Sequence, residues 1–239
     1  MTKTFTRHLL VPALAVGLVT VSVLAAQAGS VTGTVTFDGD VPNRRPVKMA
    51  ADPSCEASNP DGRLGEVMVV SADKQMANVF VYVKSEVTGE FDLPEAAHLD
   101  QNGCMYTPHV TGVMIGQTIE IKNSDGTLHN VHSLPENSAQ FNNAMPIKNQ
   151  VIKKKFSAEE VMVRVKCDVH PWMSAYIGVL PHPFFATSST DGSFTIESLP
   201  AGTYELEAWH ERLGTKTQSV TVGADGSVTA DFSFAPPSK

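Results

Sequence analysis

Short runs in which apolar and polar side chains alternate recur from about residue 30 to the end of the chain. In SVTGTVTFDGDVP, NVFVYVK, GVMIGQTIEIKNSDG, EEVMVRVKC, SFTIESLPAGTYELEAWH and QSVTVGADGSVTADFSF, the residues Val, Ile, Thr, Phe and Tyr stand between Gly, Asp, Asn and Pro turn signals. A period of two with that punctuation predicts antiparallel strands, each with a buried face. In 191–210, Phe194, Ile196, Tyr204, Leu206 and Ala208 alternate with mostly polar neighbours around Pro200-Ala201-Gly202, which predicts a hairpin. Only GEFDLPEAAHLDQ lacks a strand pattern, and it reads as a connector. The expected fold class is all-β, packed as β-sandwich layers.

The first 28 residues break the pattern. Lys3 and Arg7 precede an apolar run from Leu9 to Ala25, interrupted by Pro12, Gly17, Thr20 and Ser22, and Ala26-Gln27-Ala28 follows as a small-x-small site. This predicts a secretory signal cleaved after Ala28 and export to the periplasm. A retained anchor is disfavoured, because no basic stop-transfer flank follows. No later segment is long and apolar enough to span a bilayer. Removing 28 of the 239 residues leaves 211, enough for one large domain or two small ones. The loss of Lys3 and Arg7 leaves 16 basic against 25 acidic side chains, a formal charge of −9. Nucleic acid and anionic lipid both need a basic footprint, so neither is an expected partner.

Three cysteines are an odd number for an exported chain. Cys55 and Cys104 lie in turn-rich ADPSCEASNP and LDQNGCMYTP, whereas Cys167 closes an apolar strand. The reading is a Cys55–Cys104 disulfide with Cys167 as a free thiol.

Cys167 opens VKCDVHPWM, which sets Cys167, His170 and Met173 three residues apart. Alone, C-x-x-H-x-x-M suits core residues as well as a metal loop. Upstream, NSDGTLHNVHSL places His129 after a turn, 38 residues before Cys167. A type 1 copper centre needs one His from such an inter-strand loop, and a Cys, a second His and a weak axial Met from another. His132 lies three residues beyond His129, so on a strand it faces the other way. His109 and Cys104 read as structural, and His182 and His210 as packing at a domain junction. Lys153, Lys154 and Lys155 read as a solvated strand end.

These segments carry a resemblance. From about residue 100 to 182 the chain resembles a cupredoxin of the plastocyanin/amicyanin kind, in YTPHVTGVMIGQTIEIKNSDGTLHNVHSL and in VKCDVHPWM. The resemblance implies a Greek-key sandwich with one type 1 copper. Its ligands would be His129 and His170 as imidazoles, Cys167 as thiolate and Met173 as axial thioether, with Asn130 tying the two ligand loops together. In such proteins the second His reaches the surface through an apolar patch. Pro171 and Trp172, with Met145-Pro146, would form that patch here, for a redox partner such as a c-type cytochrome or a periplasmic dehydrogenase; the other reading of Trp172 is core packing against the outer sandwich. VTGTVTFDGDVP, NVFVYVK, TDGSFTIESLPAGTY and TQSVTV resemble the carboxypeptidase regulatory-like family, a small prealbumin-like or Ig-like sandwich. Roughly 100 residues separate Val83 from Ala186. The expected organisation is a signal peptide 1–28, a discontinuous outer sandwich 29–94 and 184–239, and an inserted cupredoxin domain 95–183. Two domains in tandem with a loose N-terminal segment is the alternative.

Four protein ligands leave no open position for a substrate, so the expected activity is single-electron transfer and not catalysis. Lys166 and Asp168 flank Cys167, where a multicopper oxidase has His; neither G-x-S-x-G nor H-E-x-x-H occurs. Two other readings stay open: periplasmic copper handling, and a non-redox interaction module on a cupredoxin scaffold. The nine Met residues form no Met-rich tract of the kind expected for copper release.

Overall fold

The structure is a computed structural model that describes residues 1–3, 28–224 and 226–236. The expected signal segment falls largely on residues 4–27, outside the described residues. In chain order the elements begin with β1 (Ala28–Phe37), α1 (Pro53–Ala57), β2 (Phe80–Val83), β3 (Ala97–Gln101), β4 (Tyr106–Thr107), β5 (Val110–Met114) and β6 (Ile119–Asn123). β7 (His129–Leu134), β8 (Asn142–Met145), β9 (Val151–Lys154), β10 (Glu160–Lys166) and β11 (Ser174–Leu180) follow. β12 (Phe185–Thr187), β13 (Ser193–Pro200), β14 (Gly202–His210), β15 (Gly214–Val222), β16 (Ser227–Thr229) and β17 (Phe232–Phe234) complete the fold. Among the described residues the protein is all-β apart from the single turn of α1.

Two sandwiches result. In the outer one, β1 pairs antiparallel with β13 and parallel with β16 and β17, and faces a sheet ordered β12-β2-β14-β15. Val31, Val35, Phe37, Val81, Phe194, Ile196 and Leu206 fill its core. In the inner one, a sheet ordered β5-β11-β10-β7-β8 faces a sheet ordered β4-β3-β6-β9. Leu99, Ile119, Ile121, Val131, Val163, Val165 and Ile177 lie between them. The chain therefore leaves the outer sandwich after β2 and rejoins it at β12.

Three sequence expectations need correction. β13 and β14 are not a hairpin: β13 pairs with β1 and β14 with β2 and β15, so the turn at Ala201 arches from one sheet to the other. Tyr204 pins that arch by donating its hydroxyl to Pro200 O at 3.0 Å. The connector reading of 89–101 fails at its end, where AHLDQ is β3, parallel to β6. Its alternation was hidden because the second inward side chain is Gln101, whose amide donates to Lys122 O and Met145 Sδ. Third, Met49 and Cys55, assigned by position to the outer sandwich, belong to the inner core.

The sandwiches meet across β2, in which every residue is buried. Val81 and Val83 face the outer core, while Phe80 and Tyr82 point to the inner domain and cluster with Val110 and Leu180. That explains the near-continuous apolar run NVFVYVK, since a strand covered on both faces needs no polar alternation. Phe80 seats on Gly112 and Gly178, which pair across β5 and β11. A Cβ at either glycine would lie 2.7 or 2.5 Å from the Phe80 ring.

Candidate metal centre

Asn130 follows His129 at the start of β7, and the loop from Cys167 to Met173 joins β10 to β11. Because β7 and β10 are neighbours in one sheet, both loops emerge at the same end. The second loop is tight: Cys167 N–H donates to Met173 O at 3.2 Å and Met173 N–H to His170 O at 2.9 Å. Asn130 joins the loops. Its Oδ1 accepts the Asp168 N–H at 2.7 Å, and its Nδ2 donates to Asn142 Oδ1 and Asp168 Oδ2.

His129, Cys167, His170 and Met173 are all at most 2 % exposed. One donor atom from each of His129, Cys167 and His170 lies within 4.8 Å of the others. The two Nδ1 atoms are 2.9 Å apart, and His170 Nδ1 is 3.7 Å from Cys167 Sγ. The outward nitrogens are already engaged: His129 Nε2 lies 2.9 Å from Asp125 Oδ2, and His170 Nε2 2.9 Å from Asp52 Oδ2. With an ion held between them, a proton on each Nε2 donated to its carboxylate would free both Nδ1 lone pairs to bind it, the tautomer a metal ligand needs. Two imidazoles, a thiolate and a buried thioether form the donor set that copper accommodates in both oxidation states. The residues present fit that ion.

The electrostatics agree with a closely coupled site. Burial pushes the Cys167 thiol up, but hydrogen bonds from His129 and from the amides of Asn130, His170 and Val169 outweigh it, so the thiolate forms more readily than usual. Burial disfavours a charged His129, yet Asp125 and Cys167 push it up to about 9. Burial also raises Asp125, and hydrogen bonds from His129, Cys104 and Gly103 hold it below the usual carboxylate range. At Asp52, burial is again outweighed, by His170, Cys55, Thr127 and Ser54, and its carboxyl sits at about 2.

The other expected residues fall as follows. Cys55 and Cys104 are joined in a disulfide, and Cys167 is the free cysteine. His132 turns away from the site and pairs with Asp168 at 2.9 Å. His109 packs at the domain junction, with Nδ1 on Ser174 O and Nε2 on Glu211. His182 Nε2 meets Val83 O at the same junction.

The docking patch needs correction. His170 is only 1 % exposed, because the segment carrying Asp52 and Cys55 covers its outer edge. Met145 is fully buried behind His129, its cross-strand partner, and Pro146 alone of that pair is exposed. Pro171 is exposed and Trp172 half-buried, its ring 5.0 Å from that of His170 and its Nε1–H donating to Cys104 O. Both line a cleft of about 560 Å³ with Val47, Met105 and Tyr176.

Sequence reasoning missed Asp52 and Asp125. Asp52 carries a local signal, since Asp before Pro-Ser reads as a helix N-cap, and its side chain does accept from Ser54 and Cys55. Nothing local links it to a histidine 118 residues away. Asp125 stands four residues before His129 in a turn, where an Asp has an ordinary reason to be.

Residues 175–235 match the carboxypeptidase regulatory-like domain, a stretch that takes in most of β11 and all of β12 to β17 but not β1 and β2. No curated protein matches the sequence. Among solved structures the chain is similar to a novel purple cupredoxin from Nitrosopumilus maritimus, with 21% identity over 35% of this chain and 98% of that one, at a TM-score of 0.30. It is similar to an oxidised amicyanin variant with 22% identity over 41% of this chain and 97% of that one, at a TM-score of 0.33. A Cu-containing nitrite reductase from Thermus scotoductus SA-01 shares 18% identity over 40% of this chain but 24% of its own length, at a TM-score of 0.34.

Proposed function

We propose that this protein is an exported type 1 copper protein that carries single electrons between redox partners in the periplasm. One observation carries the reading: two imidazole Nδ1 atoms and the Cys167 sulfur converge in a buried pocket whose loop also buries Met173. A copper ion held there would supply a one-electron couple. The chain's own contribution is to fix the imidazole tautomers, exclude water and hold the loops so that little moves on electron exchange. With four protein ligands no position is left for a substrate, so the reading is a carrier and not an enzyme. Electrons would enter or leave through Trp172, which contacts His170 and borders the cleft beside Pro171. The partner would be a redox protein such as a c-type cytochrome or a periplasmic dehydrogenase. Copper storage without redox work is the second reading, favoured by the closed outer edge of His170, which would retain an ion.

The test is to express residues 29–239, add Cu(II), and record visible absorption with electron paramagnetic resonance. The expected result is an intense thiolate-to-copper band with narrow hyperfine splitting, abolished in Cys167→Ser and retained in His132→Gln. Colourless protein, or an ordinary type 2 spectrum, would overturn the carrier reading.

A further inference from the structure

Each ligand histidine turns its outer nitrogen onto a carboxylate, and each carboxylate is itself fixed. Asp125 Oδ1 accepts the Gly103 N–H and Oδ2 the Cys104 N–H, both at 2.8 Å. Asp52 Oδ1 accepts the Ser54 N–H at 2.8 Å and the Cys55 N–H at 3.2 Å, and its Oδ2 accepts the Thr127 hydroxyl at 3.0 Å. Cys55 and Cys104, whose amides hold the two carboxylates, are bonded to each other. The result is a closed ring: His129, Asp125, Cys104, Cys55, Asp52, His170, and back to His129 across the metal pocket. Two of its six residues, Asp52 and Cys55, come from a segment the chain lays down before β2, far in sequence from both ligand loops.

We propose that Asp125, and Asp52 held in place by the Cys55–Cys104 disulfide, are positioning residues that lock both histidines as Nδ1 ligands and bias the site toward oxidised copper. The proposal rests on the copper reading above. Its electrostatics are simple. A thiolate alone leaves a Cu(II) centre with one net positive charge, whereas two adjoining carboxylates make it net negative. Added negative charge stabilises Cu(II) more than Cu(I), most strongly in a buried site where little water screens it. A carboxylate on the remote imidazole nitrogen also makes the ligand more basic, and partners of this kind change metal affinity by about 10–100-fold. The disulfide matters because it holds Asp52, a residue of a loop segment, against His170.

The experiment uses residues 29–239 with the disulfide formed and copper bound, and measures the reduction potential by redox titration. Asp52→Asn, which keeps the shape and removes the charge, is expected to shift the Cu(II)/Cu(I) affinity ratio about tenfold toward Cu(I). That is a rise of about 59 mV for one electron. Asp125→Asn should move it in the same direction. Cys55→Ser/Cys104→Ser should raise the potential like Asp52→Asn, and adding Asp52→Asn to it should give little further change, because both act through one carboxylate. If the double cysteine variant does not fold, the two Asp variants carry the test. A second readout needs no copper: in the metal-free protein, nitrogen NMR should show a slowly exchanging Nε2 proton on His170, lost in Asp52→Ala. An unchanged potential in both Asp variants, or a freely exchanging His170 Nε2 proton in the unaltered protein, would overturn the clamp. Absence of a type 1 band in the unaltered protein would instead overturn the carrier reading, and the proton measurement would still decide the clamp.

Discussion

Asn130 shows how much one side chain can organise here. Its amide accepts from the backbone of Asp168 and donates to Asp168 and Asn142, so three segments meet on a single residue. Replacing Asn130 with Ala leaves the Asp168 N–H without its partner and frees the two loops. The expected cost is about 1–3 kcal/mol of unfolding free energy, read by urea denaturation of the metal-free protein. Asp168 is held well below the usual carboxylate range by Lys166, and then by Asn130, His132 and Asn142. It is exposed, so its ion pair with Lys166 adds little to stability. The role of Asn130 beside His129 was legible from the His-Asn-Val segment through the family resemblance. The pairing of Asp52 with His170 was not, because a carboxylate at a helix N-cap already has a sufficient local explanation.

At the scale of elements, strand periodicity carried most of the information, and it failed where a strand is covered on both faces or buries a polar side chain. β3 is the second case, with Gln101 buried by hydrogen bonds that only its neighbours reveal. β2 is the first, and its outward Phe80 explains two glycines in strands where Gly is otherwise a weak choice. Gly178→Ala would set a methyl group 2.5 Å from the Phe80 ring, which is fully buried and has little room to move. The expected destabilisation is about 1–3 kcal/mol, from overpacking. Pairing it with Phe80→Leu should recover part of the loss in a double-mutant cycle. Strict additivity of the two changes would show that the glycine is there for another reason.

Across the whole molecule, the interface between the sandwiches gathers buried histidines with opposite electrostatics. His109, between Ser174 O and Glu211, loses some stabilisation of its charged form to burial but gains more from Glu211, so its pKa is raised. His210 is 2 % exposed, and burial, the main cause, pulls it down to about 4. The unfolded chain protonates His210 near its ordinary value of 6.5, while the folded protein keeps it neutral down to about 4. Over that window the unfolded state binds more protons, so stability falls as pH drops from about 6.5 to about 4, by up to about 3 kcal/mol from this residue. His109 works in reverse, since its contribution is present in acid and is lost as pH rises through its folded pKa. Urea midpoints of His210→Gln measured from pH 4 to 7 should therefore show a flatter acid limb than the unaltered protein. An identical limb would assign the acid sensitivity to other groups.

What the sequence by itself determined is local: alternation that makes strands, turn residues that end them, and a Cys, His and Met spaced three apart with a His upstream. Those signals act over a few residues, through backbone geometry and the reach of one loop, so they survive without tertiary context. The pairing of Cys55 with Cys104 was legible from counting, which leaves one cysteine over, and from the turn-rich settings that set these two apart from Cys167. Tertiary structure alone decided that the outer edge of His170 is closed, that the Asp52 segment belongs to the inner core, and that Phe80 rests on paired glycines. Each of these depends on how two sandwiches dock and where a loop between strands is laid across the other domain. A contact between residues 118 apart has no periodicity to betray it, and its free energy exists only once both partners are already in place.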